Sequence, residues 1–150
     1  MSTSYTISTS SNSITEGETL TTTVATTGVA ENTTLYWSLN GSHYGSSIVD
    51  TITSSDFSSG ELLGSGTVDN NGGFSFSHTL ANDSLFEGLY QHLYIRIYSD
   101  ANRTNQVGST KSVGISDSEI AATYTITPSK SEPSEGETLS ISISTTGVAE

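Results

Sequence analysis

Residues Glu16 to Glu31 read EGETLTTTVATTGVAE. Inside that stretch Leu20, Thr22 and Val24 alternate with Thr21, Thr23 and Ala25. Successive side chains of a β-strand point to opposite faces, so this alternation predicts a strand with one buried face. The pattern recurs outward along the chain. TLYWSLN places Leu35, Trp37 and Leu39 on one side, with Trp37 the expected centre of a core. GFSFSHTL does the same with Phe74, Phe76, His78 and Leu80. LYIRIYSD sets Leu93, Ile95 and Ile97 inward against Tyr94, Arg96 and Tyr98 outward, and TKSVGISD ends the series with Val113 and Ile115. Turn signals separate the runs, NGS at Asn40–Ser42 and DNNGG at Asp69–Gly73 among them. No stretch carries the helical period. About seven short strands in about 115 residues predict an all-β fold, an antiparallel two-sheet sandwich.

The opening stretch has a second copy. EGETLSISISTTGVAE runs from Glu135 to Glu150, and an ungapped offset of 119 aligns Tyr5–Glu31 with Tyr124–Glu150 at 15 identities in 27 positions. Solenoid repeats span roughly 20–50 residues, so a unit this long is expected to be a whole domain in a tandem array. Residues 1–119 are then the first sandwich, and residues 120–150 a linker and the start of a second, incomplete repeat. Two strands do not close a core by themselves, so the second copy must lean on further chain or on a neighbour. The junction DSEIAATYT, Asp117 to Thr125, lacks a Gly/Ser tract and predicts a fairly rigid string.

Composition narrows the function. Sixteen acidic residues against four basic ones give a net charge of −12. Such a surface repels phosphate backbones, so no nucleic-acid partner is expected, and it keeps an exposed protein in solution. Cysteine is absent, which excludes disulfides, thiolate chemistry and cysteine-zinc sites. No apolar run is long enough to cross a bilayer, so no membrane insertion is expected. The start, MSTSYTISTSSNS, has neither the basic nor the apolar region of a standard secretory signal.

The order ITEGETL, TSSDFSSGEL, GSGTV, GFSFSHTLANDSLFEG and LYIRIYSDANRTNQVGSTKSVGISD resembles the Calx-beta-like repeats. It is most similar to the Ser/Thr-rich version found in structural proteins of marine cyanophages and in large cyanobacterial surface proteins. The likeness covers roughly Tyr5 to Glu119 and begins again at Tyr124. It implies an immunoglobulin-like sandwich used as a building block of fibres, decorations and adhesins, without catalysis. Acidic residues of Calx-beta domains gather at one end, and in some members they bind Ca2+. The matching positions are Glu16, Asp56, Asp83, Glu87 and Asp117, with Glu119 adjacent. The family's run EGTE stands here as EGLY at Glu87–Tyr90, so one expected carboxylate is missing. Ca2+ takes about six to eight oxygens, and the loss weakens such a site.

Other residues point away from chemistry. His43, His78 and His92 have no metal-ligand spacing, and no G-x-S-x-G or phosphate-binding loop accompanies the many serines. No catalytic residue, no cofactor beyond a candidate Ca2+ and no enzymatic activity are expected. Tyr90, Tyr94 and Tyr98, with Tyr36 and Tyr44, offer an aromatic surface for a neighbouring subunit or a glycan. Outward tyrosines also serve as cross-strand pairs on a sheet face. The expectation is therefore a virion component (fibre, appendage or capsid or tail decoration) of a cyanophage-like virus, partnered by other structural subunits or by itself. The alternative is a bacterial extracellular surface adhesin repeat with Ca2+-stiffened junctions.

Overall fold

The computed structural model describes residues 2–43, 52–82, 91–118 and 122–148. Among the described residues nine strands precede residue 119: β1 (Ser4–Thr9), β2 (Ser13–Thr15), β3 (Thr19–Thr27), β4 (Thr34–His43), β5 (Phe57–Ser59), β6 (Leu63–Thr67), β7 (Gly73–Leu80), β8 (Gln91–Tyr98) and β9 (Gln106–Ser116). Two more follow, β10 (Thr123–Pro128) and β11 (Ile141–Thr146). The chain is all-β, and a single 3-10 turn at Ser54–Asp56 is the only helical element among the described residues.

One sheet has the order β1-β3-β7-β5 and a second the order β2-β9-β8-β4-β6. The strands pair antiparallel except β2, which lies parallel to β9 over three residues. The sequence expectation of purely antiparallel pairing is corrected at that point. Between the sheets lies one core. Leu20, Val24 and Leu80 come from the first sheet, and Leu35, Trp37, Leu93, Ile95, Ile97 and Val113 from the second. Leu20, Val24, Leu93, Ile95, Ile97 and Val113 have no exposed surface, and burying each side chain fully stabilises by about 1.5–3 kcal/mol.

Trp37 spans the gap. Its ring stacks on Phe76 of the facing sheet with centroids 4.4 Å apart and planes 8° from parallel. Space for that ring comes from Gly64, its register partner on β6. A Cβ on Gly64 would lie 2.1 Å from Trp37 Cζ2, and one on Gly66 would lie 2.1 Å from Phe74 Cδ2. The glycines of LGSGT are thus packing positions inside an edge strand, not turn residues. A different glycine corrects the sequence reading of NGS as a turn. Gly41 sits within β4, opposite Leu93, and the missing side chain makes room for Ile52.

Arg103 clasps the same region from the β8–β9 connection. Its backbone is left-handed, φ 54°. The guanidinium donates to the carbonyls of Trp37 at 3.0 Å and Gly64 at 3.1 Å. These two residues face each other across β4 and β6.

The core also holds polar groups at a cost. Thr22 faces inward, fully buried, and its hydroxyl has no hydrogen-bond partner, as is the case for Thr9 Oγ1. An unpaired buried polar group costs about 1–3 kcal/mol. His78 is buried among the rings of Trp37, Phe57 and Phe76. Its Nε2 lies 2.6 Å from the Glu61 carbonyl and donates to it, while Nδ1 lacks a partner. Burial pushes the imidazole below its ordinary pKa, and the Glu61 carbonyl and carboxylate only partly oppose this.

β10 and β11 reproduce β1 and β3. The register Tyr5↔Thr26, Ile7↔Val24 and Thr9↔Thr22 recurs as Tyr124↔Thr145, Ile126↔Ile143 and Pro128↔Ile141, each at an offset of 119. Left-handed glycines recur too, Gly17 and Gly28 as Gly136 and Gly147. The Glu18 carboxylate accepts the Thr15 amide at 2.7 Å, and Glu137 accepts that of Ser134 at 2.9 Å. Burial differs completely. Tyr124, Ile126, Leu139, Ile141, Ile143 and Val148 are all exposed.

Two outcomes follow from the core. Thr22→Val keeps the shape and removes the unpaired hydroxyl, so it is expected to raise stability by about 1 kcal/mol in urea denaturation. Because the folded pKa of His78 lies below its unfolded value near 6.5, the unfolded state binds the extra proton. Its contribution is complete above that unfolded value and is lost as pH falls through it toward the folded one. The melting temperature of His78→Gln should therefore fall less than wild type between about pH 7 and pH 5.

Candidate interaction surface

The two sheets present outer faces of different chemistry. On the four-stranded sheet, register partners on β3 and β7 link through their hydroxyls: Thr19 to Thr79 at 2.8 Å, Thr21 to Ser77 at 3.1 Å and Thr23 to Ser75 at 2.9 Å. These rungs carry no charge. Each hydroxyl is already engaged by its neighbour, which suits a solvated, inert sheet face.

The five-stranded sheet is different. Alternation along β8 turns Tyr94, Arg96 and Tyr98 away from Leu93, Ile95 and Ile97, and all three are half-buried. Along β4 the partners are Tyr36 opposite Tyr98, Ser38 opposite Arg96 and Asn40 opposite Tyr94. The Arg96 guanidinium donates to Asn40 Oδ1 and lies 5.8 Å from the Tyr94 ring centroid. His92 stacks on the same tyrosine ring, 6.3 Å between centroids. Ser38 donates to the Tyr98 hydroxyl at 3.3 Å, and Arg103 stands 5.9 Å from the Tyr36 ring. Two of the four cationic side chains thus rest on tyrosines of one sheet, in a chain whose net charge is −12. Tyr and Arg are the residue types that interfaces favour, because both combine large flat contact area with polar edges.

Tyr94 and Tyr98 lie on one outer face of β8, four residues apart, and Tyr90 lies outside the described residues. Arg96, Asn40 and Arg103 join the surface through contacts between residues 56 to 66 positions apart. Only the outward phase of Arg96 was visible in the sequence.

The acidic positions are less united. Glu16 and Asn82 meet at one end, where the Ser118 hydroxyl lies 3.2 Å from Glu16 Oε2 and 3.4 Å from Asn82 Oδ1. Asp117 precedes Ser118 in the chain. Asp56 is engaged in the 3-10 turn, where its carboxylate accepts the Thr53 amide at 2.5 Å and the Thr53 hydroxyl at 3.0 Å. Asp83, Glu87 and Glu119 lie outside the described residues. Among the described residues no three His, Asp or Glu side chains gather around one point.

No protein-family model and no curated protein matches the chain. Among solved structures it is similar to a β-glucosidase from Listeria innocua, solved in complex with glucose, at 8% identity and a TM-score of 0.42. The similarity covers 76% of this chain and spans 16% of the enzyme's length, a likeness that carries no argument about fold or activity.

Proposed function

We propose that the chain is a non-enzymatic structural and interaction protein built from tandem immunoglobulin-like sandwich units. In this reading it is a virion component of a cyanophage-like virus, a fibre, appendage or decoration whose partners are other structural subunits. The observation that carries the reading is the repetition of the β1–β3 pairing, residue for residue, by β10–β11. A catalyst needs one constellation of reacting groups, whereas a shape-built polymer needs the same unit again. The strand orders support the immunoglobulin-like assignment: β1-β3-β7-β5 follows the A-B-E-D order, and β2-β9-β8-β4-β6 contains the G-F-C order with one edge strand added on each side. The Tyr–Arg face of the five-stranded sheet supplies the contact surface, and the uncharged hydroxyl face supplies the solvated one.

Mass spectrometry of purified particles from the source virus tests this reading, with the chain expected among the structural proteins. Its absence there would overturn the virion assignment. Tyr94→Ala and Arg96→Ala, combined, are expected to reduce incorporation at least about tenfold, as loss of a contact hot spot does. Neither side chain contributes to the core, so the thermal stability of the soluble chain should change little.

The meeting of Glu16, Asn82 and Ser118 where the chain leaves for the second copy favours one further reading. This is a bacterial surface adhesin repeat in which Ca2+ stiffens the junction. In that case millimolar Ca2+ raises the melting temperature by a few degrees, roughly as ligand linkage dictates, and Glu16→Ala with Asp117→Ala removes the rise. An unchanged melting curve excludes it.

A further inference from the structure

The connection from β5 to β6, residues Gly60 to Leu62, carries the chain from the four-stranded sheet to the five-stranded one. Its inner side rests on one imidazole. His78 is 1% exposed and makes edge contacts with the rings of Trp37, Phe57 and Phe76, whose centroids are 5.1, 5.3 and 5.6 Å away. Its Nε2 lies 2.6 Å from the Glu61 carbonyl. A carbonyl only accepts, so Nε2 carries the hydrogen and the neutral ring turns a bare Nδ1 toward the core. Gly60 lies against the adjacent ring carbon with φ 109°, and a Cβ there would collide with His78 Cδ2. Gly60 and Glu61 are themselves exposed. One layer of backbone thus separates a buried, titratable ring from water.

That layer belongs to a lightly held segment. β5 is an edge strand of three residues, and its register against β7 shifts between Phe57 and Ser59. Firm pairing resumes at Leu62, whose carbonyl accepts the Leu39 amide at 2.8 Å. Short edge segments with few ladder bonds open at the low end of a protein's stability range.

A second proton on His78 has no place inside. Among the described residues Nδ1 has no hydrogen-bond partner, and a buried charge without partners is strongly disfavoured. Outside the lid a partner stands ready. The Glu61 carboxylate draws the ring toward its charged form, against the larger opposing effect of burial. No other charge acts on the ring among the described residues: it meets Leu20 from β3, Trp37 from β4 and Phe57 from β5. On the flanking turns, the Glu18 carboxylate is bound to the Thr15 amide and that of Asp56 to the Thr53 amide.

We propose that Gly60–Leu62 is a latch released by acid: protonation of His78 drives its ring out of the aromatic cluster to pair with the Glu61 carboxylate, and β5 leaves β7 with it. Release uncovers the β7 edge and the rings of Trp37 and Phe76 together. Above the ordinary imidazole value near 6.5 the ring is neutral in both states and the latch stays closed. Below it the open state binds a proton that the closed state refuses. Opening therefore grows by at most about tenfold per pH unit, the limit for uptake of one proton, until the closed-state value is passed.

Hydrogen exchange of the full chain tests this, read as protection factors so that the intrinsic pH dependence of exchange cancels. From pH 7 to pH 5, protection of residues 57–62 is expected to fall by up to about tenfold per pH unit, while Leu93–Ile97 keep theirs. His78→Gln retains a donor for the Glu61 carbonyl and cannot titrate, so its protection should not respond to pH. Glu61→Gln changes only an exposed side chain, leaves the fold intact and should move the response to lower pH, because the imidazolium loses its partner outside. Protection in wild type that ignores pH overturns the proposal. So does a response that survives in His78→Gln or stays in place in Glu61→Gln. A loss that Leu93–Ile97 share equally overturns it too, since the whole sandwich is then opening.

Discussion

The contact of Trp37 with Phe76 sets the geometry on which the rest depends. An indole that reaches across the gap and stacks at 4.4 Å fixes how far apart the two sheets stand. It also demands space on its flank, which only a glycine at position 64 supplies. The carbonyls of that same pair, Trp37 and Gly64, are held by one guanidinium from a distant connection. Core, edge strand and loop are therefore constrained together. Interiors are packed as densely as molecular crystals, so such a constraint propagates to every neighbour instead of being absorbed locally.

With the sheets so placed, the outer faces became available for different uses. Cross-strand hydroxyl pairs cover one sheet and engage one another. On the other, arginine and histidine lie against tyrosine rings, so a cation is held near an apolar surface at modest desolvation cost. Among the described residues, Asp56, Asp69 and Asp100 each accept hydrogen bonds within their own turns. A chain of strong negative charge thereby keeps one positively edged aromatic surface, and electrostatic complementarity of that kind governs which partners approach.

The repeated hairpin separates what local sequence dictates from what packing dictates. Register, left-handed glycines and the glutamate that caps its own turn are alike in both copies because neighbouring residues specify them. Burial is unlike, because it depends on seven further strands that only the first copy has within the described chain. The two copies also differ where burial is felt most. Thr22, an orphaned hydroxyl in the core, is isoleucine at the matching position of the second copy, Ile141.

Several features could be read from the amino-acid order alone. Period-two alternation identified the inward sides of β3, β4, β7, β8 and β9, because strand geometry leaves side chains no third direction. The turn at Asp69–Gly73 was also legible from its Asn and Gly residues. By itself, then, the sequence determined an all-β chain and the inward faces of its longer strands, whereas Ile14, Ile52, Phe57 and Val68 entered the core without a signal of that kind. The partners across space were decided only by the tertiary structure. Gly41 continues a strand where a turn signal stood, since Ile52 needs the vacated volume. β2 lies parallel to β9, Arg96 finds Asn40, and Ser118 brings Glu16 toward Asn82. Pairings of that kind join residues tens of positions apart, and no local pattern encodes them: they follow from which surfaces meet once the two sheets close on Trp37.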